Sequence, residues 1–251
     1  MKFLTISLAP LLLLPLFFNI SLEKEPVYNN RELFDPSLSG INSIHTLIDY
    51  ADSSAKKEHI RNGSLGYAIF VSCIIKKRFY HGFSNYTLQQ NWIAATAQYF
   101  FGKSLAAPVK PDEILQYPYA GCSQQAIVLM AVMKEKNVSY RSVSFPHHYA
   151  MELNFNDTWY FFDPDMEPEI KENERNEDKW KGSADYLKQY YNANYNHLDW
   201  TFGKSVPLIF GIKNADPAPR ASLFQTVTKY LSRILWIFPL IVVAYPRKRN
   251  A

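Results

Sequence analysis

The chain has 251 residues, 47% of them apolar and 16% aromatic, and a formal net charge of +4 from 27 Lys and Arg against 23 Asp and Glu. This is enough apolar material for one substantial core or two small ones, and it excludes a chain disordered throughout. The basic excess is not gathered into a tract, which argues against a dedicated nucleic-acid binder, and two cysteines, Cys73 and Cys122, exclude both a disulfide-dense scaffold and a four-cysteine zinc site.

Fifteen prolines and 17 tyrosines favour strands and irregular connections over a helical bundle. Residues 3–22 are mostly apolar and carry no charge, lying between Lys2 and the run Glu23, Lys24, Glu25. They read as a secretory signal or an uncleaved membrane anchor, with a buried globular helix as a third option. Twenty helical residues span about 30 Å, a bilayer core, although Pro10 and Pro15 would bend such a helix. The nearest small-x-small cleavage pattern, Asn19-Ile20-Ser21, is a poor one.

Residues 23–223 have the size of one domain. Residues 28–52 are weakly patterned. A helix is expected over about 64–77, with Ile69, Phe70, Cys73 and Ile74 at helical spacing, which makes Cys73 a buried apolar residue. A second is expected over 87–101, with Leu88, Trp92, Ala95 and Tyr99 near one stripe and Asn85 or Thr87 as its cap. Pro108 and Pro111 break the chain, and residues 112–116 form at most a short turn. From Cys122 to Lys134 an apolar run without strict alternation reads as a buried helix ending in basic residues.

Three strands follow. Residues 138–145 form the first. Residues 148–155 alternate strictly, Tyr149, Met151, Leu153 and Phe155 on one face and His148, Ala150, Glu152 and Asn154 on the other. Asn156-Asp157 suits a hairpin turn, and residues 158–163 return with Trp159, Phe161 and Asp163 on a common face. Residues 166–179, dense in charge, read as a solvated loop. Residues 186–200, rich in Tyr and Asn, suggest a surface for something flat or polar. The hydrophobic segment 224–251 contains the uncharged run 234–245, interrupted by Pro239 and closed by Arg247, Lys248 and Arg249. It either packs on the core or makes a second membrane contact, with Lys229 and Arg233 able to snorkel and the basic end resembling a stop-transfer flank.

Cys122 follows Gly121 and opens a helix, so the orphan amides and the positive helix end would favour its thiolate and could hold an oxyanion. A lone cysteine is more often a small buried hydrophobe. His148 lies 26 residues later at the start of a strand, and Asp163 ends the next strand 15 residues farther on. An antiparallel hairpin turning at Asn156 brings the start of one strand beside the end of the other, so His148 and Asp163 should meet. His148 would then act as base and acid toward Cys122, oriented by Asp163. His147 competes for that role, but a one-residue shift turns it to the opposite face. A metal site from His147, His148 and Asp163 is the weaker alternative, because adjacent strand histidines point apart.

With these residues in place the chain resembles the transglutaminase-like superfamily of papain-like cysteine enzymes. The resemblance covers residues 88–165 and rests on Gly121-Cys122 with Ala126, Arg141 and Val143 in the next strand, His148-Tyr149-Ala150-Met151-Glu152, and Trp159 followed by Asp163-Pro164. Ser123 and Gln124 after the cysteine, and Tyr149-Ala150 where Ala-Trp is usual, depart from the pattern. The resemblance implies an α+β fold, a nucleophile helix packed against an antiparallel sheet, with Cys122, His148 and Asp163 as catalytic residues. It implies an acyl-thioester formed on a peptide or carboxamide carbonyl, resolved by water (protease or amidase) or by an amine (transglutaminase). Trp92, Gln124, Gln125 and Tyr119 are the expected substrate or oxyanion residues. No cofactor or metal is expected. The expected partners are a peptide or protein substrate, an amine acceptor and a membrane, and the expected setting is a membrane-associated enzyme with its catalytic domain outside the cytoplasm. The competing expectation is a non-catalytic envelope binding module on the same fold.

Overall fold

A computed structural model describes residues 2–29, 32–191, 197–203 and 209–244. In chain order the elements are α1 (Lys2–Leu13), α2 (Ile44–Lys57), α3 (Leu65–Arg78), β1 (Tyr80–His81), α4 (Leu88–Phe101), α5 (Pro111–Ile114), β2 (Tyr119–Ala120), α6 (Cys122–Glu135), β3 (Ser139–Phe145), β4 (His148–Phe155), β5 (Thr158–Phe162), α7 (Glu177–Trp180), α8 (Ala184–Lys188), α9 (Leu198–Phe202), β6 (Ile209–Phe210), α10 (Pro219–Ile234) and α11 (Ile237–Ala244). The class is α+β, with 52% helix and 12% strand. The proline and tyrosine count pointed toward strands and misled. Pro111 and Pro219 stand in first helical turns, where a missing N–H costs nothing, and so mark helix starts instead of excluding helices.

Two compact units are formed. One comprises Met1–Glu25, Asn85–Pro108 and Ala218–Ala251, and the other Pro26–Ser84 and Val109–Pro217. Residues 85–108, which the sequence reading keeps with the middle of the chain, therefore group with both ends.

In the second unit the local signals explain the elements. Ser64 caps α3 by accepting from the Tyr67 amide, and Lys76, Lys77 and Arg78 close it at the negative helix end. A four-stranded sheet has the order β5-β4-β3-β6. Asn156 and Asp157 both have positive φ, 51° and 60°, as a two-residue turn of the primed type requires, and Phe155 pairs with Thr158 across it. One sheet face, with Tyr140, Met151, Leu153 and Phe162, packs with Ala126, Met130 and Met133 of α6 into the main core. The other face, with Val143, Ala150 and Phe161, is covered by Trp180, Leu187 and Phe202. A short parallel pair joins β1 to β2 and sets His81 opposite Ala120.

Three expectations are corrected here. Residues 28–52 contain the start of α2, whose Ser43–Thr46 capping box fixes its first turn. Residues 166–179 are not a solvated loop throughout, since Glu167, Ile170 and Arg175 are buried. The Arg175 guanidinium donates to the carbonyls of Phe161, Pro168 and Ile170 and lies 2.6 Å from the Glu167 carboxylate, so the charges are consumed internally. Cys73 is partly rather than fully buried. Of residues 186–200, those numbered 192–196 lie outside the described residues; Tyr191 is buried.

In the first unit α4 pairs with α10 and α1 with α11. α4 is capped by Thr87 with Gln90 and is kinked at Asn91, whose φ and ψ are −161° and 79°. Among the described residues no single helix is long and apolar enough to cross a membrane; α10 and α11 together reach that length and composition but are bent by 53°. Arg247, Lys248 and Arg249 lie outside the described residues.

Candidate active site

α6 begins at Cys122, with Gly121 at its N-cap in an extended conformation. A side chain at position 121 is impossible without rearrangement, because a Cβ there would lie 2.7 Å from the Phe83 ring. The glycine thus lets Phe83 lie directly against the helix start. Cys122 is buried except for a small opening into a cleft of about 540 Å³, which His148 also lines.

His148 is the first residue of β4, and there its ring reaches past the end of the sheet. Nε2 lies 2.8 Å from Asp163 Oδ2, and Cys122 is close enough to the same ring to help raise its pKa. With Nε2 given to the carboxylate, Nδ1 is the nitrogen left for the thiol, the opposite assignment to that of the serine-protease triad. Burial works against charge on His148, but Asp163, with a further contribution from Cys122, outweighs it and holds its pKa well above the usual imidazole range.

Asp163 is fully buried just past the end of β5. Burial pushes its pKa up, and the His148 imidazolium together with hydrogen bonds from Tyr191 and the Met166 amide pushes it further down, leaving it below the ordinary carboxylate value. The Tyr191 hydroxyl donates to Oδ2 at 2.7 Å and the Met166 amide to Oδ1 at 3.2 Å. A carboxylate so supplied stays ionised and fixes the ring that it holds.

A second imidazole–carboxylate pair lines the same cleft. His81 Nδ1 lies 3.0 Å from both oxygens of Asp165, two residues beyond Asp163. Its amide donates to Glu32, and Asp165 also accepts from Gln125 Nε2 at 2.7 Å. The Asp165 charge and hydrogen bond, against a smaller opposing effect of burial, raise the His81 pKa to about 9, with Cys122 and Glu32 adding to the rise. His81 is therefore cationic at neutral pH. Its ring is 56% exposed and, with Nδ1 committed, offers Nε2–H to the cleft.

Cys122, His148 and Asp163 are brought together; the other four expected site residues are not part of the cleft. Trp92 belongs to the first unit and donates its indole N–H to the Ser232 carbonyl. Gln124 is buried, its Oε1 accepting from the amides of Gly121 and Ser84 and its Nε2 donating to the Ser84 carbonyl, so it fastens residues 82–84 to the helix start. Gln125 ties Asp165 to the Ala120 carbonyl. Tyr119 is buried among the rings of Tyr80 and Tyr117. All three serve the site from behind. His147 leaves the strand pattern and stacks on Trp200 at the rim, rings 4.0 Å apart and parallel within 2°. Arg141 and Glu152, two of the residues behind the resemblance, meet as an ion pair at 2.6 Å on the far sheet face.

His81, Asp165 and Tyr191 were missed. Asp165 had a signal, since it shares a turn with Asp163, whereas His81 is 84 residues from its partner and nothing local marks it. Among the described residues no group of three or more His, Cys, Asp or Glu is placed to hold a metal ion. No family model, curated protein or solved structure matches the chain.

Proposed function

We propose that the second unit is a cysteine enzyme of papain-like, transglutaminase-like fold that forms an acyl-thioester on a peptide or carboxamide carbonyl. One observation carries this reading: a helix-end cysteine shares a cleft with an imidazole, and that imidazole is held at 2.8 Å by a buried carboxylate. The Cys–His–Asp order and the helix-on-sheet packing support the same reading.

With the thiol proton carried on the His148 imidazolium that Asp163 stabilises, the Cys122 sulfur attacks the carbonyl carbon to give a tetrahedral oxyanion. The oxyanion collapses, the C–N bond breaks, and His148 returns its proton to the leaving amine. The thioester then yields to water, giving a carboxylic acid, or to a second amine, giving a new amide; in either case His148 removes the proton of the attacking group and passes it back to sulfur. Backbone amides at the start of α6 and the cationic His81 ring, which lines the same cleft, are the donors available to a developing oxyanion. Hydrolysis is the first expectation, because the cleft is open to water. Trp200 and His147 supply a flat wall for an apolar or aromatic group beside the scissile bond.

The test is an electrophilic thiol probe followed by a screen of peptide and amine substrates. Cys122 should label and Cys122→Ser should not; His148→Ala should slow labelling by roughly a hundredfold, the usual worth of a positioned base, while leaving the fold intact by circular dichroism. Equal labelling in wild type and His148→Ala overturns the reading and leaves a binding module in its place.

A further inference from the structure

We propose that the first unit is a membrane-embedded helical bundle whose outer surface is covered by lipid hydrocarbon, and that α4 is part of it. This does not depend on the cysteine chemistry. The facing sides of α4 and α10 bury polar side chains, while Arg220 and Arg233 near the ends of α10 stay exposed. The buried residues of α10 are Gln225, Thr228 and Ser232, spaced on one helical face, while Leu223, Val227, Tyr230 and Ile234 are exposed. In α4 the buried residues are Asn91, Ala94 and Ala95, while Tyr99, Phe100 and Phe101 are exposed, the two phenylalanines by 71% and 73%. Among the described side chains of α1 Ala9 is buried, while Leu8 and Leu11 face outward, as does Leu14 just beyond the helix.

A water-soluble helix pair hides its apolar stripe and shows its polar one. On the facing sides of α4 and α10 the arrangement is reversed, and among the described residues the buried apolar cluster of this unit is Tyr86, Ala94 and Ala106 with Phe224 packed on it. A small apolar cluster of that kind cannot hold about 80 residues together in water. In a bilayer the apolar exterior costs nothing, and helices associate through small residues and side-chain hydrogen bonds. Such a seam is present. Asn91 Nδ2 donates to Thr228 Oγ1 at 3.0 Å, Ser232 Oγ donates to Asn91 Oδ1 at 3.2 Å, and Gln225 Nε2 donates to the Leu105 and Ala107 carbonyls.

Hydrocarbon also demands that a broken helix have its freed backbone amides satisfied. At the Asn91 kink the Ala94 amide donates to Asn91 Oδ1 and the Ile93 amide to Ser232 Oγ. A soluble protein partner would need none of this, since it would meet an apolar patch over an apolar core. The occupant is therefore lipid. α10 has 16 residues, about 24 Å of helix, so insertion is by the bundle and not by one long crossing.

The test uses the full chain in vesicles of phosphatidylcholine and phosphatidylglycerol, with a hydrophobic aryl-diazirine photolabel dissolved in the bilayer and labelled sites mapped by mass spectrometry. Label is expected on Phe100, Phe101, Val227 and Ile234 and not on Asn91, Thr228 or Ser232. Label confined to residues 1–22 would mean a lone N-terminal anchor and overturn the proposal, as would protection of α4 and α10 by a protein partner. The pair Val227→Lys with Leu231→Lys should raise the fraction released by carbonate at least tenfold, with Cys122 labelling unchanged as evidence of folding. Unchanged retention would also overturn it.

Discussion

Tyr191 and His148 share one oxygen of Asp163, so removing the tyrosine hydroxyl weakens the carboxylate that steadies the ring. Tyr191→Phe should reduce the rate of Cys122 acylation by roughly tenfold, about what one lost hydrogen bond to a charged group is worth. The acid limb of the rate profile should also move to higher pH, because Asp163 loses one of the groups that hold its pKa down; stopped-flow acylation across pH checks both. His81 makes a separate prediction. Its ring should titrate near pH 9 by NMR, and Asp165→Asn should bring the midpoint back toward the ordinary value of 6.5. Since the folded pKa is raised, the pair's contribution to stability is complete below pH 6.5 and is lost as pH rises through about 9. The Tm of wild type minus that of His81→Gln should follow the same course, and a difference that grows with pH contradicts the assignment. His147→Ala, which removes only a rim ring, should leave Cys122 reactivity near the wild-type rate.

At the scale of elements, the site depends on α6 resting against β4. Met151 is fully buried between them, and Met151→Ala should cost about 2–5 kcal/mol in urea unfolding. Gly121→Ala should slow Cys122 labelling through displacement of Phe83, with a smaller loss of stability of about 1–3 kcal/mol. The elements that carry the triad were legible because short-range chemistry bounds them: the Gly121 start and basic last turn of α6, the turn at Asn156-Asp157, and the strict alternation of β4. What failed was reading polarity as exposure. The charges of residues 166–179 conceal the Glu167–Arg175 pair, and the amides of Gln124 and Gln125, read as substrate contacts, are used up in holding the loops around the helix start. Pairings such as β1 with β2 or His81 with Asp165 join distant segments and leave no periodic trace.

For the whole molecule, Cys122, His148, Asp163, His81 and Tyr191 all belong to the second unit, which the chain enters twice. Cleavage at a protease site inserted between Pro217 and Ala218 should therefore leave the Cys122 labelling rate within about twofold, because no site residue lies beyond the cut; a large drop would show that the site needs residues 218–251 joined to it. The turn from Asp163 to Glu167 has a consequence of another kind. It anchors both imidazoles of the cleft and, through Glu167, the Ser72 hydroxyl of α3 and the Arg175 guanidinium. The two rings are consequently not independent variables. A substitution that loosens this five-residue hub should disturb both titrations together, whereas replacing either histidine leaves its neighbour's counterion in place.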